Sequence, residues 1–160
     1  MKKETIGPRI KDELDKILDE NIFYSANFHD NNIRINETKT NRENGVLKGY
    51  TNVQIHYEVF FNDKEKKITV EIHFIGDAKE LYEKIVELCN LPEEIESRSS
   101  KGENESIIGL NKKKYDLEYP EDGLSEEALK NKVKTIAEEI KRQIILLKGL
   151  IDRIIKTLPQ

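Results

Sequence analysis

Asn52–Ile75, NVQIHYEVFFNDKEKKITVEIHFI, reads as two alternating segments on either side of a charged turn. In the first, Val53, Ile55, Tyr57, Val59 and Phe61 alternate with polar residues; in the second, Ile68, Val70, Ile72 and Phe74 do the same. Period two on both sides of Asn62–Lys66 predicts an antiparallel hairpin with one face in the core. The two apolar sets must share a face, so odd positions of the first strand pair with even positions of the second. A turn centred on Lys64-Glu65 puts Val59 opposite Val70, Tyr57 opposite Ile72 and Ile55 opposite Phe74. On the other face Glu58 then meets Glu71, and His56 meets His73. A register shifted by two residues pairs Glu58 with His73 instead.

Working outward, Gly7-Pro8 opens an amphipathic helix over residues 9–20, with Ile10, Leu14, Ile17 and Leu18 on one face. Ile22–Phe28 and Ile33–Asn36, joined by His29–Asn32, read as a hairpin, followed by a polar stretch Glu37–Gly45. Asp77 stands at the cap of a helix running to about Asn90, with Glu80 as the capping-box acid. Residues 96–105 read as a polar loop. Ser106–Leu110 and Tyr115–Tyr119 read as another hairpin around Lys112–Lys114. The resulting order, α-β-β-β-β-α-β-β-α, predicts a single α+β domain over residues 1–160. It is an antiparallel sheet of about four to six strands with helices on one face and a long C-terminal helix.

That last helix spans about Leu124–Leu158, with Ser125 as its cap and Glu126 and Glu127 in its first turn, where the dipole favours acids. Leu129, Val133, Ile136, Ile140, Ile144, Leu147, Ile151, Ile154 and Leu158 form a stripe close to a heptad. Beyond Ile144 the apolar arc widens to include Ile145, Leu146, Leu150 and Ile155. At 1.5 Å per residue the helix is roughly 50 Å long, more than a small domain spans. One end is therefore expected to project or to pair with another protein or a second copy. The expected partner face is Leu147, Leu150, Ile151, Ile154, Ile155 and Leu158.

Apolar and charged residues each make up 36% of the chain, and the net charge is −4, which disfavours broad nonspecific binding to nucleic acid. Cys89 is the only cysteine, which excludes an intrachain disulfide and fits a reducing, cytoplasmic setting; on the apolar side of its helix it reads as a buried structural thiol. The N-terminus lacks the apolar run of a secretory signal, and no uncharged apolar run is long enough to span a membrane. The excess of Lys over Arg, with abundant Ile and Asn, is associated with AT-rich prokaryotic or phage genomes.

Three groups of residues carry chemical possibilities. His56, Glu58, Glu71 and His73 share a sheet face and are adequate ligands for zinc or another transition ion; the same alternation also describes an ordinary solvated face. Facing carboxylates need an offset from solvent, a cation or a protonated His. Phe60 and Ile75 lie on that face as well. Lys112, Lys113 and Lys114 could touch phosphate, or simply keep a hairpin tip charged. His29, beside Asp30, reads as a solvated turn residue. There is no Gly-rich phosphate loop, Cys-x-x-Cys, His-Glu-x-x-His or Gly-x-Ser-x-Gly, so no cofactor and no catalytic residue is expected.

The succession ITVEIHF (68–74), DAKELYEKIVEL (77–88), IIGLNKKKYDLEY (107–119) and LSEEALKNKVKTIAEEIKRQI (124–144) resembles an uncharacterised bacterial domain found behind endonuclease-like domains in restriction-related proteins. That resemblance implies a defence-system setting and a recognition role, with no catalytic residues to carry over. The functional expectation is a non-catalytic binding protein acting through protein contact: a subunit, an adaptor or a mobile-element inhibitor. The alternatives are a nucleic-acid-binding accessory domain and, more distantly, a metal-dependent enzyme on the His/Glu face.

Overall fold

In the computed structural model, which describes residues 1–99 and 104–159, the central hairpin forms in the first of its two registers. β3 (Ile55–Asn62) and β4 (Lys67–Ile75) pair His56 with His73, Glu58 with Glu71 and Val59 with Val70. The first strand starts later than its alternation suggests. Thr51 and Gln54 bond each other's backbone in a turn, and Val53 is 63% exposed.

β1 (Phe23–Ser25) and β2 (Asn32–Glu37) form the expected preceding hairpin, and β2 pairs with β3. β5 (Ile95–Ser99) and β6 (Glu105–Leu110) add the other side, in the order β1-β2-β3-β4-β6-β5, all antiparallel. Much of the expected 96–105 loop is thus strand: Ile95, Ser97 and Arg98 pair with β6, and residues 100–103 lie outside the described residues. The expected Lys112–Lys114 hairpin does not form. α4 (Lys112–Tyr115) is a one-turn insertion, after which β7 (Leu117–Glu118) rejoins the same edge of β4 that β6 has just left. At the interruption Thr69 donates its hydroxyl hydrogen to Asp116 Oδ1 at 3.0 Å.

α1 (Lys3–Ile17), α3 (Ala78–Leu88) and α5 (Glu126–Thr157) cover the inward face of the sheet, while α2 (Lys39–Asn44), capped by Thr38, occupies part of the expected polar stretch. Asp77 precedes α3 in a helical conformation and makes no side-chain cap, so the expected capping box is absent. Ser125 Oγ accepts from Ala128 N at the start of α5, as the sequence predicts. One apolar cluster runs from Ile6 to Ile154 and includes Tyr57, Phe61, Ile72, Phe74, Ile140 and Ile144. At its margin a buried polar group ties α5 to the sheet. Glu37 Oε1 lies 3.3 Å from Lys148 Nζ and accepts from the Tyr57 hydroxyl at 3.4 Å.

α1 begins before Gly7-Pro8 rather than after it, so Pro8 lies inside the helix and the bond to the Glu4 carbonyl is lost. Burial of Ile6 on the added turn offsets that loss. Gly7 is required by close approach: a Cβ there would overlap the Phe28 ring, which packs edge-on to Phe61 at 5.4 Å. At Gly149, within α5, a Cβ would meet nothing. The two glycines should therefore respond oppositely to alanine in urea denaturation. Gly7→Ala should lose about 1–3 kcal/mol to overpacking, and Gly149→Ala should gain about 0.5–1 kcal/mol from helix propensity.

Candidate functional site

The face of β3 and β4 turned away from the helices was expected to be wet. It is buried at its centre: His56 is 0% exposed, Glu58 6%, Glu71 5% and His73 4%. The register places Arg34, Phe60, Ile75, Arg98 and Ile107 around them on the same face. These flanking residues are part-buried, so the charged centre lies among neighbours rather than in water.

Within the cluster both imidazoles converge on one carboxylate. His56 Nε2 is 3.2 Å from Glu58 Oε1, and His73 Nε2 is 2.9 Å from Glu58 Oε2. His73 Nε2 also lies 2.8 Å from Glu71 Oε1, so a single N–H stands between two carboxylates. The rings stack with centroids 5.4 Å apart and planes 24° from parallel. The facing acids Glu58 and Glu71 are thereby offset by groups on their own strands, which answers the repulsion that the register implies. Burial would raise the Glu58 carboxyl, but its hydrogen bonds to His56 and His73, with their charge, hold it down at about 2. Burial would likewise lower His73, but Glu58 and Glu71 push it up to about 10.

Residues that the sequence reading did not assign to this face complete the network, among them Arg98, which it offers only as an extension of the Lys112–Lys114 patch. Arg98 donates to Glu71 Oε2 at 2.7 Å from a strand two positions away, across β6. It can do so because Gly109 lies opposite Glu71; a Cβ there would stand 2.6 Å from Arg98 Nη2. Glu105 Oε2 is 3.2 Å from His73 Nδ1, and Arg34 Nη2 is 4.0 Å from Glu58 Oε1. A glycine in an alternating strand was the available signal, since it marks a close approach. Arg98 carried none, because it falls in a stretch that reads as loop.

The other candidates fall elsewhere. Leu147 and Ile151 are fully buried in the domain's own core, and Leu150 and Ile154 nearly so. Ile155 and Leu158 are part-buried against the same cluster. The stripe expected as a free partner face is therefore covered from within: α1, β4 and β6 pack against α5, and the stripe belongs to the common apolar cluster. Among the described residues Ile145 is the large apolar side chain of α5 left exposed, at 52%. Lys112, Lys113 and Lys114 are exposed on α4, not at a hairpin tip, and His29 is exposed in its turn. Cys89 is free and part-buried at the end of α3. Among the described residues no helix is long and apolar enough to cross a membrane.

Comparison with protein-family models, with curated proteins and with solved structures gives no match to this chain.

Two predictions follow the geometry. Ile151→Asp should unfold the chain, at a cost above about 4 kcal/mol, with loss of the cooperative thermal transition. Arg98→Met leaves Glu71 buried without its guanidinium and should cost about 3 kcal/mol. Gly109→Ala breaks the same contact, so adding it to Arg98→Met should change stability by less than about 0.5 kcal/mol in a double-mutant cycle.

Proposed function

We propose that this chain is a non-catalytic binding protein that works by contact with another protein, through the outer face of α5 around Ile145. The observation that carries this reading is the combination of an exposed Ile145 with open space above Gly149, one turn further along the helix. Ile145 and Lys141 form a ridge between two shallow depressions. Leu18, Ile22 and Phe23 line one of them, and Leu117 and Ile136 the other. Lys141, Arg142, Lys148, Glu138, Glu139 and Asp152 surround this apolar centre with charge of both signs. An apolar centre inside a charged rim is the usual layout of a contact surface. Gly149 costs helix stability and no contact within the domain calls for it, which fits a surface shaped to admit a partner's side chain.

The burial of the His/Glu cluster supports the non-catalytic part of the reading. Its four residues are buried, and the depressions on α5 are lined by other side chains. A substrate needs a reacting group it can reach.

The test is recovery of a stoichiometric protein partner by tagged chain from the cells in which it is naturally made. Ile145→Asp leaves the inward stripe of α5 untouched and should keep the thermal transition within about 0.5 kcal/mol of the parent, while partner recovery falls at least tenfold. Undiminished recovery with Ile145→Asp would exclude this face.

A further inference from the structure

We propose that His56, His73 and Glu58, with Glu71 as fourth ligand, form a binding site for a divalent first-row transition ion of the zinc class. His56, Glu58 and His73 each offer a donor atom, and these atoms all lie within 4.8 Å of one another. An ion with bonds of about 2.0–2.2 Å holds its ligand atoms roughly 3–4 Å apart, so the side chains need to move by only about an ångström. Two imidazole nitrogens and two carboxylates make an N/O set suited to tetrahedral zinc.

Three features of the cluster go beyond proximity. First, both Nε2 atoms are turned to the same carboxylate, His56 at one oxygen of Glu58 and His73 at the other, so two imidazoles and a carboxylate already face one another. Second, the outer shell of two ligands is already built. His73 Nδ1 faces Glu105, which would keep a proton on Nδ1 once Nε2 binds an ion, and Arg98 holds the far oxygen of Glu71. Third, buried His56 uses only Nε2; its Nδ1 has no hydrogen-bond partner among the described residues. An imidazole spent this sparingly at the centre of a sheet is costly as packing, since an apolar residue would fill the position without desolvating a polar ring.

Binding replaces the proton that His73 Nε2 shares between Glu58 and Glu71, and shifts the Nε2 proton of His56, which faces Glu58, to that ring's unpartnered Nδ1. The ion forms bonds to both nitrogens and to the carboxylates, and the displaced proton leaves to solvent. Because the four ligands are buried, the ion would join β3 to β4 as a cross-strand staple and leave no open coordination position at the surface.

The experiment uses the full chain, freed of metal with a chelator and then titrated with Co²⁺, with tetrahedral ligand-field absorption as the readout and Zn²⁺ as competitor. One Co²⁺ per chain, displaced by one Zn²⁺, is expected. His56→Gln should weaken binding at least a hundredfold, while His29→Gln, on the exposed His, should leave it unchanged. Glu105→Gln, which touches no ion and lies at the cluster's margin, should weaken it by about tenfold to a hundredfold. This variant keeps the proposal testable if His56→Gln fails to fold. Absence of uptake by the parent chain would overturn the site and leave a charge-compensated network only. Uptake that is lost in His29→Gln, or unchanged in folded His56→Gln or in Glu105→Gln, would overturn it equally.

Discussion

The register between β3 and β4 is the constraint on which the other features rest. It aligns Ile55, Tyr57, Val59 and Phe61 with Ile68, Val70, Ile72 and Phe74 on the face that the helices cover. A slip by one residue would turn the apolar set of one strand to solvent and carry its histidine and glutamate into the apolar core. The apolar set thus enforces the pairing of His56 with His73 and Glu58 with Glu71, and the polar cluster is a consequence of core packing. Burial of Ile and Val side chains, at roughly 1.5–3 kcal/mol each, readily exceeds the repulsion of one carboxylate pair.

That repulsion is resolved by neighbours that the pairing itself brings near. His73 lies between the two acids, and Arg98 reaches Glu71 over the vacant Cβ position of Gly109. The network therefore depends on four strands, β3 to β6, remaining in step. In this respect it differs from the exposed ion pairs of α1 and α5, such as Lys16 with Glu13, which hold little energy and define no geometry.

The C-terminal helix shows how the chain's own surface can satisfy an apolar stripe that looks excessive in isolation. α5 is longer than one element needs, yet α1, β4 and β6 pack against it and its stripe joins the common core. Among the described residues the large apolar side chain of α5 left exposed is Ile145, near the open space at Gly149, a far smaller feature than the stripe. A contact surface of this kind has no periodic signature, because it is defined by which residues the core leaves uncovered.

Local pattern determined much of this protein. The alternation of β3 and β4, the stripe of α5 and the cap at Ser125 were legible because each depends on residues a few positions apart. The antiparallel α+β architecture followed from them. Other features depended on contacts between residues distant in sequence. Pro8 lies inside a helix because burial of Ile6 outweighs a lost hydrogen bond. Residues 95–99 form a strand because β6 offers an edge, although their composition reads as loop. The polar face is buried because Arg34, Phe60, Arg98 and Ile107, drawn from four strands, surround its centre. Periodicity assigns a side chain to a face; whether that face is wet is decided by what the rest of the chain places around it.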